Sequence, residues 1–376
     1  MIDCQAYYEL LERVGIKYFV GVPDSLLKDF CFCVLDRTDL NKNIIAANEG
    51  TAIALAAGHY LATGEFALVY MQNSGLGNAV NPLTSLVDPD VYCIPLLLFI
   101  GWRGEPGRKD EPQHVKQGKI TLSLLDTLGI HYEVHPETLE ESEAALHRAV
   151  DHMIYKESPF AFVLRAKTFS PYLERKSDSD SYYELTREDA LRETVENLSD
   201  DAIIVSTTGK LSRELFECRV ATRGKHEGDF LTVGSMGHAS QIALAVALAK
   251  PNKQIFCLDG DGAFIMHMGS VPIIGSRKPS NFRHIVFNNG SHDSVGGQPT
   301  VGYEIDIPAI ARACGYLKVL RIQKREEIGE AVRKAQALKG PVLIEILVKR
   351  GARLDLGRPT IAPVENKNIF MKNLAK

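Results

Sequence analysis

Short apolar runs recur through the first half of the chain at residues 18–20, 44–46, 66–71, 94–100, 132–134 and 160–164. Amphipathic or small-residue stretches at helical spacing lie between them. Runs this short, set between helical segments, read as strands buried on both faces, and their alternation with helices predicts a parallel sheet covered on both sides. Around residues 170–183 the rhythm breaks into a polar, charged and aperiodic stretch, which predicts a linker. The pattern resumes at 202–205, 254–258, 282–287 and 342–348. The expectation is two tandem α/β domains, residues 1–172 and 185–376, joined by a linker at 173–184.

A faint echo links the halves. Residues 51–60, rich in Ala and Gly, precede the run 67–72 and the loop NSGLGN, while residues 238–249 precede the run 255–258 and the loop DGDGAF. Each is a small-residue helix, a buried strand and a glycine loop, as duplicated domains would show. Composition adds little: 376 residues leave room for two domains of about 150 to 190 residues each. A net charge of -4 with 45% hydrophobic and 24% charged residues gives no sign of nucleic-acid or membrane binding. Seven cysteines without a C-x-x-C pair read as thiols of a reducing compartment, and the first residues read as an amphipathic helix rather than a secretory signal; a cytoplasmic location is expected.

The candidate chemistry begins at the strand ends. Gly260-Asp261-Gly262 follows the run 254–258, and Asn288-Asn289 follows the run 282–287, with 25 residues (263–287) between them. Ligands of open α/β sheets bind at the carboxyl ends of strands. Glycines beside Asp261 let backbone amides approach a diphosphate, a helix starting there adds its dipole, and the carboxylate of Asp261 with the amide oxygen of Asn289 offers the hard oxygens that Mg²⁺ prefers. Asp-Gly and Asn-Gly pairs also mark ordinary turns. Both together, each at a strand end, favour the site.

This spacing resembles the signature of thiamine-diphosphate enzymes. GVPDS (21–25), NEG (48–50), NSGLGN (73–78) and GSMG (234–237) resemble further elements of that family in the expected order. The resemblance implies two cofactor-binding domains without a central one, Mg²⁺ on Asp261, Asn289 and the Ser291 carbonyl, and cofactor contacts from Thr208, Gly209, Gly234, Met236, Gly260, Gly262 and Ala263. Met236 would support the bent cofactor beneath its thiazolium ring, and the Gly234 carbonyl would accept from the 4'-amino group. Glu49 matches the family glutamate that contacts the aminopyrimidine ring and generates the ylid. By its position alone Glu49 could equally be a helix-start acid. NSGLGN also mimics a dinucleotide fingerprint, but Val80 stands where the third glycine belongs and the strand is not the first of its domain.

Segments 101–114, 206–217, 288–300 and 356–367 resemble one branch, the phosphonopyruvate decarboxylases. That resemblance implies decarboxylation of a 2-keto acid carrying a second anion, which calls for cations near the cofactor. Arg103, Arg108, Lys109, Lys210 and Arg213 sit in loops expected at strand ends, with Arg213, Arg103 and Lys210 first in line. Asp24, His114 and His292 are the titratable groups placed to handle the proton after CO₂ loss; the paired histidines of simple pyruvate decarboxylases are absent from the expected loop. A sulfopyruvate decarboxylase would need nearly the same site, and a non-catalytic thiamine-diphosphate binder is the reading from another class. The family builds its site between domains of two subunits, which implies at least a homodimer, with no nucleic-acid or membrane partner.

Overall fold

A computed structural model describes residues 1–173 and 183–376, so most of the predicted linker lies outside the described residues. The chain forms two compact units, Met1–Ser177 and Asp178–Lys376.

The first unit holds six parallel strands, β1 Tyr18–Gly21, β2 Asn43–Ile45, β3 Ala67–Gln72, β4 Leu97–Gly101, β5 His131–Val134 and β6 Phe160–Leu164, in the order β2-β1-β3-β4-β6-β5. Alternate residues of each strand feed opposite cores, because the side-chain period of a strand is two. Phe19, Leu68, Tyr70, Leu97 and Phe99 face one way with Tyr7 and Phe30. Val20, Val69, Met71, Leu98 and Ile100 face the other with the alanines of helix Glu49–Thr63.

The second unit holds β7 Ile203–Ser206, β8 Asp229–Leu231, β9 Ile255–Gly260, β10 Phe282–Asn288, β11 Lys318–Ile322 and β12 Val342–Leu347, all parallel, in the order β11-β12-β10-β9-β7-β8. Counted from its own first strand, this is the strand order of the first unit read from the other edge. The two helices of the sequence echo, Glu49–Thr63 and Ala239–Ala249, both lead from the second strand to the third. The duplication suspected from a faint likeness is explicit in the topology.

Two strands, β8 and β11, escaped the hydrophobic pattern. Both are edges; β8 has three residues, and β11 is largely exposed or half-exposed. A carboxyl-terminal helix, Pro363–Leu374, caps the β8 edge, where Asn366 accepts from the Leu231 N–H at 3.0 Å and donates to the Asp229 carbonyl at 2.9 Å. In each sheet the strand order reverses at the first strand, with the second strand on one side of it and the third on the other. Crevices outside the carboxyl ends of strands at such switch points are where ligands bind.

Candidate active site

In the first unit, Glu49 opens helix Glu49–Thr63, but the helix start does not depend on it. Asn48 caps that end, accepting from the Thr51 N–H at 3.0 Å while the Thr51 hydroxyl accepts from the Asn48 N–H at 3.2 Å. The Glu49 carboxylate is buried and turns instead to Asn78, whose amide donates to it at 2.7 Å. A side-chain carbon on Gly75 would lie 2.2 Å from Glu49 Oε1, so the glycine of NSGLGN is the space in which this acid sits. Glu49 does lie in the first turn of the helix, but the capping is done by its neighbour Asn48.

Asp24, in the turn after β1, is fully buried. It accepts from Gln72 Nε2 at 2.5 Å and from the Leu26 N–H at 3.1 Å, and a carbon on Gly101 would meet its Oδ2 at 2.0 Å. Three strand ends thus converge on one carboxyl group. Burial pushes its pKa up, against the hydrogen bonds from Gln72 and Leu26 and the nearby Arg103.

Arg103 follows β4. Its guanidinium grips Asp110 through two bonds, Nε to Oδ2 at 2.8 Å and Nη2 to Oδ1, and reaches Ser25 Oγ at 2.8 Å. Burial alone would raise the Asp110 carboxyl, but Arg103 and the Glu111 and Gly104 N–H groups outweigh it and hold it well below the usual range. Asp110, absent from the sequence reading, thus organises the loop and already neutralises Arg103. Arg108 likewise pairs with Glu105 at 2.8 Å. His114, in the first turn of helix Pro112–Thr127, has its imidazolium disfavoured by burial and by Arg103, and its Nδ1 has no hydrogen-bond partner among the described residues.

In the second unit, Asp261 opens the short helix Asp261–Met266 at the end of β9 and is buried. Its Oδ1 accepts from the Asn289 N–H at 3.3 Å and its Oδ2 from the Thr300 hydroxyl. Burial pushes its carboxyl up to about 6 despite those bonds, and no Lys or Arg pairs with it among the described residues. Asn289 lies beside it, also buried, with its amide oxygen accepting from the Ser291 N–H at 3.2 Å and its Nδ2 donating to Asp293 at 2.8 Å. Ser291 is buried in the same turn. A buried carboxylate with no cationic side chain, in contact with a residue that carries an amide oxygen, is a donor set that fits a hard divalent ion.

The neighbouring loops close on this point. Thr208 Oγ1 accepts from the Gly234 N–H at 2.9 Å, tying the end of β7 to the Met236 loop. Gly234, Ser235 and Gly237 all have positive φ, at 72°, 49° and 82°, and so form a sharp turn with Met236 among them. A carbon on Gly262 would lie 3.3 Å from Met236 Cε and 3.0 Å from the His292 ring, so Gly262, Met236 and His292 share one spot. Burial holds the His292 imidazolium down, to about 4. Gly209, at φ 98°, faces Ser294 Oγ, which also accepts from the Lys210 N–H at 3.3 Å. Ala263 belongs to the same turn, its carbonyl 3.0 Å from where a carbon on Gly237 would stand. Lys210 starts helix Lys210–Arg223 and carries no ion pair among the described residues; Arg213 lies one turn along, half-buried.

Further donors escaped the sequence reading. Cys257, Asp259 and His284 bring ligand atoms within 4.8 Å of one another in the core beneath Gly260. Their geometry is that of a hydrogen-bonded prop: Asp259 accepts from the Gly260 N–H at 3.0 Å and from His284 at 3.4 Å, and Tyr316 donates to His284 at 3.1 Å. Arg187, Glu214 and Asp293 form a second buried set, joined to Asn289. Partners 27 and 106 residues apart leave no local signal in a sequence.

Two family models match the chain: the thiamine pyrophosphate enzyme N-terminal TPP binding domain over residues 4–125 and the C-terminal TPP binding domain over residues 208–346. A phosphonopyruvate decarboxylase of Streptomyces viridochromogenes is 36% identical, covering 94% of this chain and 90% of that protein. One from Streptomyces hygroscopicus is 35% identical over 97% and 92% respectively. A sulfopyruvate decarboxylase of Methanosarcina acetivorans is 28% identical over 91% and 90%. The matches span both units and both sets of strand-end residues, and the chain belongs to the thiamine pyrophosphate enzymes, in the group that contains the phosphonopyruvate decarboxylases.

Proposed function

We propose that this chain decarboxylates 3-phosphonopyruvate to phosphonoacetaldehyde and CO₂, with thiamine diphosphate and Mg²⁺ as cofactors, in phosphonate biosynthesis. The observation that carries the reading is that one chain holds both a buried glutamate steered by Asn78 and a buried Asp261–Asn289 pair suited to a dication. A protein that only bound the cofactor would have no use for the glutamate. When bound, thiamine diphosphate supplies the electron sink that the carbanion left by CO₂ loss requires and that no side chain offers. The residues do the rest. Asp261, Asn289 and the Ser291 carbonyl would hold the metal; Thr208, Gly209, Gly260, Gly262 and Ala263 would line the diphosphate; Gly234 and Met236 would support the ring system; and Glu49 would be the proton-handling carboxylate for the aminopyrimidine.

Lys210, Arg213 and Arg103 receive the two anionic ends of the substrate, Lys210 foremost because Arg103 is already held by Asp110. Asp24, His114 and His292 are the groups that manage the proton after CO₂ leaves. Asp24 is suited to donation because burial favours its protonated form. The active species is a homodimer in which Glu49 of one copy serves the metal site of the other, in the cytoplasm. Sedimentation of the active enzyme checks the assembly, and a fully active monomer would contradict it.

Sulfopyruvate is the rival substrate, carrying one negative charge fewer. CO₂ release from phosphonopyruvate, sulfopyruvate and pyruvate, compared as kcat/KM with both cofactors present, decides between them. The expected order puts phosphonopyruvate first. A higher ratio for sulfopyruvate would assign the chain to that reaction instead.

A further inference from the structure

Asp293 lies in the turn Asp293–Val295 just beyond the Asn289 loop, and its carboxylate is a junction. Oδ2 accepts from Asn289 Nδ2 at 2.8 Å and from Arg187 Nη1 at 2.9 Å, and the Gly351 N–H approaches both oxygens at 3.2 Å. Arg187 is itself fixed from the other side by Glu214, through parallel bonds of 2.8 and 2.9 Å. Burial works against the Arg187 charge, but Glu214 and Asp293 more than offset it and raise its pKa. The guanidinium fork has no freedom to turn away, so neither has Asp293.

The consequence falls on Asn289. A side-chain amide has a donor end and an acceptor end of nearly equal size, and only the oxygen binds a cation. With Nδ2 committed to a carboxylate, the oxygen end points the other way, toward the Ser291 N–H, while the Asn289 backbone N–H holds the same residue against Asp261. Without Asp293 the Ser291 N–H alone would favour that orientation, and an inverted amide would present its N–H₂ group to the ion. Groups of this kind, bonded to a ligand rather than to the metal, commonly change metal affinity by about 10 to 100-fold when removed.

We propose that Asp293, locked by Arg187, is a positioning residue that holds the Asn289 amide oxygen-first and so sets the affinity of the site for its divalent metal; this rests on the reading of Asn289 as a ligand. The test is calorimetric titration with Mn²⁺ in the presence of thiamine diphosphate, on the wild-type protein and on Asp293→Asn, Arg187→Lys and Asn289→Ala, alongside thermal unfolding of each metal-free protein. The expected result is a Kd about 10 to 100-fold weaker in Asp293→Asn and a weakening in the same direction in Arg187→Lys, each metal-free variant still unfolding cooperatively but at a lower temperature than wild type, since both changes touch a buried ion pair. Arg187→Lys keeps the charge but not the fork, and serves if Asp293→Asn does not fold. Wild-type affinity in both variants, with affinity lost in Asn289→Ala, would overturn the positioning role alone. Wild-type affinity in Asn289→Ala would overturn the ligand reading beneath it.

Discussion

Glu49 and Asp261 are both acids in the first turn of a helix, a place where an acid usually does no more than answer the helix dipole. Their surroundings set them apart. Asn48 already caps the Glu49 helix, and the freed carboxylate is drawn into the space left by Gly75. Replacing that carboxylate by an amide keeps its size and its contact with Asn78 but removes its basicity. Glu49→Gln should lower kcat by roughly 10² to 10⁴-fold, the usual range for a positioned acid or base, with its thermal unfolding unchanged; near-normal turnover in that variant would remove Glu49 from the chemistry. Glu49, Asp261 and Asn289 stood out in the sequence as candidates because each sits in a short motif beside a strand. Asp110, Arg187, Glu214 and Asp293 did not, because their partners come together only on folding, and a lone Arg or Asp in a loop gives no hint of which charge it will meet.

Strands were most legible where both faces are buried and an unbroken apolar run marks them, and the edges β2 and β5 kept enough apolar residues to be seen as well. β8 and β11 lie at the sheet edges and lack such runs, and the helix over β8 is what shields that edge. Helix Cys4–Arg13 is tied to its sheet in another way. His135, just past β5, donates from Nδ1 to the Pro136 carbonyl at 2.9 Å and accepts at Nε2 from the Tyr7 hydroxyl at 2.9 Å, within a shell of Phe99, Phe162 and Phe169. Burial holds the imidazole neutral and lowers its pKa to about 4. In the unfolded chain the same group protonates near the ordinary histidine value of 6.5. Its stabilising contribution is therefore present above pH 6.5 and is lost as pH falls toward 4, by up to about 3 kcal/mol. Denaturant unfolding should show His135→Gln with a flatter pH dependence than wild type over that window. An unchanged slope would mean that this contact does not control the acid stability of the first unit.

At the scale of the molecule, the sheet order of the first unit is repeated in the second, and each repeat presents its proposed site residues at the strand ends beside its own switch point. The sequence echo was faint because side chains diverge wherever the backbone geometry is kept by different residues: NSGLGN makes room for a glutamate, whereas DGDGAF begins a helix with an aspartate. No helix among the described residues is long and apolar enough to cross a membrane. Specialisation of the repeats, one for proton exchange and one for the metal and diphosphate, is the central claim. Its most direct test is CO₂ release from 3-phosphonopyruvate by protein stripped of metal and cofactor. Thiamine diphosphate and Mg²⁺ added together should restore turnover, either alone should not, and the Asp261→Asn variant should stay inactive at Mg²⁺ levels that saturate the wild type. Full turnover by the stripped protein, or full recovery with one addition, would contradict the account.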